Sequence, residues 1–176
     1  MFLGTEQKNI TNRKLRCVPS GQKCPKRNVP NGHNGQKGDL NLVKFINLEK
    51  GEDEVNMMSP LTWAYVGDCV YELFIRTELI NRTNLKPHKL HIESIKYVKA
   101  QAQAEFLQSI MDELTEEEKD IIRRGRNVEN HHLPKNCDVK DYMYATAFEA
   151  LIGYLYLNGR EDRLKEIFDK IFDWFG

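Results

Sequence analysis

The sequence has no hydrophobic run long enough to cross a membrane, although 40% of its 176 residues are hydrophobic. A membrane-spanning helix needs a run of roughly 18 or more apolar residues. The first residues, MFLGTEQKNITNRK, also lack the apolar segment of a secretory signal peptide. These absences predict a cytoplasmic protein that does not associate with membranes.

Closely spaced cysteine pairs are also missing. The chain has four scattered cysteines, with no CxxC pair among Cys17, Cys24, Cys69 and Cys137. Because disulfide frameworks and most structural zinc sites use closely spaced pairs, we expect reduced thiols. A zinc site at Cys17, Cys24 and His33 is disfavoured, since the spacing is unusual and a fourth ligand is lacking.

The chain as a whole has no excess of positive or negative charge, since 26 basic residues balance 26 acidic ones. Residues 1–42, however, contain eight basic and two acidic residues, a net charge of +6, which leaves −6 for residues 43–176. The first part is rich in Asn, Gly, Pro and Lys and has no apolar periodicity, so we expect it to be disordered. It could be a basic arm that adds affinity for a polyanion, residues upstream of the natural start or, as the weakest alternative, an organelle-targeting segment.

From residue 43 onward the sequence shows helical periodicity and no alternating strand pattern of useful length. Ser59 and Pro60 form a suitable helix start, and Thr115 with Glu118 forms a capping box. Helices are predicted over residues 60–80, 91–111, 115–125, 138 or 141–157, and 160–175. The sequence therefore predicts an all-α helical bundle as a single domain over residues 43–176.

Two carboxylates, Asp68 and Glu149, lie within strongly apolar helical stretches far apart in the chain. A buried carboxylate is costly unless it is protonated, paired with a base or bound to a cation. If the two helices pack together, these acids could share Mg²⁺ or Mn²⁺, with Glu72 as a further candidate ligand and Gly67 allowing a close backbone approach. Alternatively, Asp68 is an ordinary surface residue, Glu72 pairs with Arg76, and Glu149 pairs with a lysine or tyrosine.

A basic segment at residues 123–140 interrupts the apolar periodicity of this otherwise acidic domain. Such a charged loop is often simply solvated. It is also rich in groups that can donate hydrogen bonds to an anion, namely Arg123, Arg124, Arg126, Asn127, Lys135, Asn136 and Lys140.

Four motifs resemble ribonuclease III, and more closely its short form Mini-III, which lacks the double-stranded-RNA-binding domain. They are LTWAYVGDCVYELFIR, YVKAQAQA, RRGRN and DVKDYMYATAFEALIGYLYL, and they follow the family's order within residues 43–176. The sequence departs from full-length ribonuclease III at Leu61, Ala64 and Thr146, where acids are expected, but the short form shares these departures. Another family acid has only Glu93 as a candidate here.

The resemblance implies a ribonuclease III endonuclease-domain bundle that acts as a homodimer on double-stranded RNA. Each subunit would contribute a magnesium site, with Asp68 and Glu149 as catalytic and metal-binding residues and Glu72 as an additional candidate ligand. The products would carry 5′-phosphate and 3′-hydroxyl ends. The implied substrate is the large-subunit (23S) ribosomal RNA precursor, with a ribosomal protein or the assembling subunit as a further partner.

The basic segment would then bind RNA phosphates and 2′-hydroxyls, because A-form RNA is recognised mainly by its shape. The loss of family acids motivates an alternative, a catalytically silent RNA-binding scaffold on the same fold. A helical protein-interaction module without RNA affinity is a third, less favoured interpretation.

Overall fold

A computed structural model of the protein describes residues 50–128 and 138–175, and every element within these ranges is helical. The α-helices are α1 (Glu52–Asn56), α2 (Pro60–Arg82), α3 (Pro87–Val98), α4 (Ala100–Ile110), α5 (Glu116–Arg126), α6 (Val139–Leu157) and α7 (Glu161–Phe175), with a 3₁₀ turn at Met111–Glu113. None of these helices is both long and apolar enough to span a membrane. The predicted all-α class is confirmed, whereas the predictions for the basic extension lie outside the described residues.

Helices α2 and α6 form the centre of the bundle, and both begin at the predicted caps. The Ser59 hydroxyl accepts a hydrogen bond from the Leu61 amide at 3.3 Å, directly before the proline that opens α2. The Asp138 carboxylate accepts hydrogen bonds from the amides of Lys140 and Asp141, which identifies Asp138 as the cap of α6. Both helices contribute large side chains to one continuous hydrophobic core.

The backbones of α2 and α6 touch at two glycines. A Cβ atom on Gly67 would lie 1.8 Å from the carbonyl oxygen of Glu149, and one on Gly153 would lie 1.9 Å from the carbonyl oxygen of Trp63. Since no side chain fits in such a gap, only glycine permits this crossing. The interpretation of Gly67 as a point of close backbone approach is therefore confirmed.

The prediction of one continuous helix over residues 91–111 is wrong. Lys99 has an extended backbone with ψ of 145°, so α3 ends at Val98 and α4 begins at Ala100. Ile95, in the last turn of α3, is 47% exposed. Consequently α4 packs its own face against α6.

Ion pairs connect α7 and the residue before it to α5. The Arg163 guanidinium donates to both carboxylate oxygens of Glu118, at 2.7 and 3.0 Å, and the amide of Thr115 also donates to this carboxylate. Burial alone would raise the pKa of Glu118, but these hydrogen bonds outweigh it and hold the pKa below its ordinary value. Arg160 forms a similar pair with Glu117, so the acidic start of α5 anchors the last helix.

Candidate active site

The crossing of α2 and α6 brings the two predicted catalytic acids together. Gly67 contacts the backbone of Glu149 itself, and Asp68 is the next residue of α2. Burial, and to a smaller extent the nearby negative charge of Asp68, raises the pKa of Glu149 to about 8. Burial and the charge of Glu72 likewise raise the pKa of Asp68. Repulsion of this kind is expected where carboxylates lie close together.

Glu72 lies at the edge of this site. Its carboxylate accepts hydrogen bonds from Arg76 at 2.6 and 3.1 Å, which confirms the alternative proposed for this residue. Asp68 is exposed and forms no ion pair with any residue that the structure describes. Glu149 has no lysine or tyrosine partner in the same ranges, so this alternative is not supported. Glu93, paired with Lys96 on α3, is not among the charges that raise the pKa of Glu149.

The donor atoms of this site fit a hard divalent cation. Among the described residues, no three His, Cys, Asp or Glu side chains are arranged to hold a metal ion, so Asp68 and Glu149 would be the main protein ligands. Magnesium retains several waters and is commonly bound through only one or two carboxylates together with substrate phosphates. Two neighbouring carboxylates, one exposed and one mostly buried, are therefore compatible with Mg²⁺ or Mn²⁺.

Gln103 was not predicted as a site residue, yet its side chain lies beside Glu149. Gln103 projects from α4 and is 1% exposed. Burial raises the pKa of Glu149, and the amide of Gln103 offsets part of this increase. Neither its Nε2 nor its Oε1 makes a hydrogen bond within the described structure. The signal in the sequence is a glutamine between two alanines, Ala102 and Ala104, which are both buried in the structure.

The predicted RNA-binding residues lie mainly at helix ends. Arg123 and Arg126 belong to the last turn of α5, Asn127 caps this helix, and Lys140 lies in the first turn of α6. The prediction that α5 stops near Gly125 is confirmed, because the helix ends at Arg126. Gly125 itself packs against Ala147 of α6. The predictions for Lys135 and Asn136 fall outside the described residues.

Arg124 is engaged in the fold. Its guanidinium lies 4.4 Å from the ring centre of Trp63, and it donates a hydrogen bond to the carbonyl of Asn56 at 3.5 Å. A cation over an indole ring is a favourable packing arrangement. We therefore assign Arg124 a structural contact between α5 and α2. Arg123 pairs with Asp120, and the Arg126 guanidinium lies 5.8 Å from the ring centre of Tyr144.

A small cavity of about 110 Å³ separates the end of α5 from α6. Its wall includes Arg126 and Thr146, and Thr146 lies one helical turn before Glu149. The cavity therefore lies against the first half of α6, and neither Asp68 nor Glu149 is part of its wall.

Comparisons with known proteins agree with this fold and site. The family model for the ribonuclease III domain matches residues 61–160, which include both acids and define the class of protein as an endoribonuclease. The chain is 52% identical over 118 residues to Mini-ribonuclease 3 of Thermoanaerobacter sp. (strain X514), covering 67% of this chain and 83% of that protein. It is 43% identical over 122 residues to Mini-ribonuclease 3 of Staphylococcus aureus, covering 68% and 91%. The chain belongs to the ribonuclease III family, in its Mini-ribonuclease 3 branch.

A crystal structure of a protein from Fusobacterium nucleatum is also similar, with a TM-score of 0.63 and 30% identity, covering 70% of this chain and 98% of that one. Members of the ribonuclease III family act on RNA, generally depend on a metal ion and function as dimers. The predicted family and fold are thereby confirmed.

The raised pKa of Glu149 predicts a pH-dependent cost in stability when no cation is bound. Between the ordinary value of 4.5 and about 8 the folded state binds more protons than the unfolded chain, so the free energy of unfolding falls as the pH rises through this range. In EDTA, Glu149→Gln should therefore be more stable than the unmodified protein by roughly 2 kcal/mol at pH 8 and by little at pH 5. Urea unfolding at both pH values measures this difference, and an equal effect at the two would contradict it.

Proposed function

We propose that this endoribonuclease cleaves double-stranded RNA by magnesium-dependent hydrolysis at Asp68 and Glu149, leaving 5′-phosphate and 3′-hydroxyl ends. Mn²⁺ is expected to substitute for Mg²⁺, because the same oxygen ligands suit both ions. The observation that supports the proposal is the contact of Gly67 with the backbone of Glu149, which brings a partly buried acid of α6 close to an exposed acid of α2.

Asp68 and Glu149 would hold the ion from opposite helices. A bound magnesium ion supplies a water of lowered pKa and stabilises charge on the scissile phosphate and on the leaving 3′-oxygen. Asp68, being exposed, is accessible to a phosphate that approaches from solvent. Glu149 is largely neutral near pH 7 without a cation and must ionise to act as a ligand, so its ionisation is linked to cation binding.

A homodimer is part of the proposal, with each subunit cutting one strand. Four exposed apolar side chains lie along one face of α2: Leu61, Tyr65, Leu73 and Ile80. Tyr65 is 78% exposed, which is unusual for an aromatic residue without a partner surface. Asp68 and Glu72 lie beside this face on the same helix. A dimer in which the α2 helices of the two subunits pack together would therefore have both active sites near its interface.

The proposed substrate is the precursor of large-subunit (23S) ribosomal RNA, cut at a double-stranded stem in the cytoplasm. Since the family resemblance involves the form without an accessory RNA-binding domain, a ribosomal protein or the assembling subunit is proposed to help select the stem. Arg123, Arg126, Asn127 and Lys140 would contact the RNA backbone. Lys135 and Asn136, which lie outside the described residues, remain predicted RNA contacts.

Incubation of the purified protein with a long RNA duplex, in Mg²⁺ or in EDTA, tests the proposed function. We expect discrete fragments with 5′-phosphate ends in Mg²⁺ or Mn²⁺ and intact RNA in EDTA, because the site needs a cation to neutralise two carboxylates. Duplex that is retarded on a native gel but remains intact in Mg²⁺ would instead favour the silent RNA-binding scaffold. Neither cleavage nor retardation would favour a protein-interaction module.

Removing two of the proposed phosphate contacts should weaken RNA binding without affecting chemistry. For the double variant Arg123→Ala and Arg126→Ala, we expect KM for the duplex to rise about tenfold. The slope of a plot of log KM against log salt concentration should fall by about 1 to 2. The rate at saturating RNA should change little. Lys119→Ala is the matched control, because it removes one positive charge from the other end of α5, where Lys119 pairs with Glu116. An unchanged KM in the double variant would contradict RNA binding at this end of the helix.

A further inference from the structure

Gln103 is a buried polar side chain whose hydrogen-bonding groups are unused. Its side chain is 1% exposed, and neither the amide nitrogen nor the amide oxygen has a hydrogen-bond partner. Two other buried polar side chains have partners: Ser94 donates to the carbonyl of His91, and Glu118 pairs with Arg163. The half-buried Asn56 and Asn158 also have side-chain atoms without a partner, but Gln103 is almost completely buried. Since a buried amide without hydrogen bonds costs roughly 1 to 3 kcal/mol, its position requires a reason.

Packing alone does not account for a glutamine at this position. The neighbouring buried side chains of α4 are apolar, as at Ala102 and Phe106. A leucine or methionine has a similar volume and would fill the same space without an unsatisfied amide. The feature that distinguishes glutamine is its amide, and the group beside that amide is the carboxyl of Glu149.

An amide can serve both protonation states of a neighbouring carboxyl group. Its oxygen accepts a hydrogen bond from a protonated carboxyl, and its nitrogen donates to an ionised one. Small movements of the Gln103 side chain would therefore allow a full hydrogen bond to Glu149 in either state.

We propose that Gln103 is a positioning residue that donates a hydrogen bond to the Glu149 carboxylate and orients it toward Asp68 when a divalent cation binds. This inference rests on the proposed metal site. The partners that orient metal ligands typically change metal affinity by about 10- to 100-fold when they are removed. Gln103 thus sets how tightly the carboxylate pair holds the cation, while Asp68 and Glu149 remain the groups that touch it.

The break at Lys99 explains how α4 can place Gln103 in this position. If α3 and α4 formed one helix, the face buried against the core would continue through Ile95. Because the chain is extended at Lys99, α4 is free to turn the face that carries Gln103 toward α6.

Direct titration of Mn²⁺ into RNA-free protein, followed by isothermal titration calorimetry, tests this role. For Gln103→Leu and Gln103→Met we expect Kd for Mn²⁺ to rise about tenfold. The Mg²⁺ concentration for half-maximal cleavage should rise by a similar factor, while kcat at saturating Mg²⁺ changes less than about threefold. Gln101→Leu is the matched control, because Gln101 lies on the exposed face of the same helix and hydrogen-bonds only to Glu105.

Asp68→Asn, titrated in parallel, separates this inference from the proposed site. Loss of Mn²⁺ binding in Asp68→Asn together with unchanged binding in the folded Gln103 variants would overturn the positioning role and leave the metal site intact. Unchanged binding in Asp68→Asn would overturn the site itself. Far-UV circular dichroism and thermal unfolding verify that each variant is folded, and the two Gln103 substitutions guard against the failure of either one to fold.

Discussion

Asp68→Asn is expected to lower the rate of duplex RNA cleavage by about a thousandfold or more. The substitution preserves the shape of the side chain but removes one of two negative charges that would hold the cation. Asp68 is exposed and has no ion pair among the described residues, so its replacement should leave the fold and the oligomeric state unchanged. Single-turnover cleavage at saturating Mg²⁺ measures the loss, and light scattering after gel filtration measures the oligomeric state.

Glu72→Gln provides the comparison for Asp68→Asn, since Glu72 lies four residues away on the same helix and is held by Arg76. We expect its effect on cleavage to be much smaller. If Asp68→Asn cleaved RNA at the rate of the unmodified protein, the carboxylate pair would not be the catalytic site. If Glu72→Gln were as damaging as Asp68→Asn, Glu72 would have to leave Arg76 and join the metal ligands.

Gly67→Ala is expected to lower the free energy of unfolding by about 3 kcal/mol or more, or to prevent folding. The added methyl group would lie 1.8 Å from the backbone oxygen of Glu149, and a backbone atom cannot rotate away as a flexible side chain can. Helices α2 and α6 would have to separate, which would disturb the most extensive contact between helices in the described part of the chain. Urea unfolding followed by circular dichroism measures the change.

Gly51→Ala is the control for this steric argument, because a Cβ atom at Gly51 would have nothing within 4 Å. It should cost less than about 1 kcal/mol, the amount expected for a modest change at a helix N-terminus. Gly153→Ala should resemble Gly67→Ala, since it meets the carbonyl of Trp63 from the opposite helix. A stable Gly67→Ala protein would mean that the two backbones are not in contact.

The features that depend on local chemistry could be predicted from the sequence. Helix caps such as Ser59 and the capping box at Thr115 involve residues only two or three positions apart. Gly67 could be interpreted because glycine is unfavourable within a helix and requires compensation. The pairing of Asp68 with Glu149 was a conditional prediction, since it required two helices to pack at one particular crossing.

The features that depend on contacts between distant parts of the chain were missed. Lys99 and the segment after it are compatible with a continuous helix, so only packing against α6 reveals the break. Gln103 could not be identified as a site residue before the orientation of α4 was known. Arg124 was grouped with the other arginines because its contact with Trp63 joins residues more than 60 positions apart.

The contact between Gly67 and the backbone of Glu149 also affects how freely the sequence can vary. Most distances between helices depend on the volumes of the side chains between them, so core substitutions shift them. At this crossing no side chain intervenes, and the separation of the helices is set by the van der Waals radii of backbone atoms, which are the same in every protein. Substitutions elsewhere in the core can therefore accumulate while the spacing of Asp68 and Glu149 stays constant, so the site is protected against drift in the sequence around it.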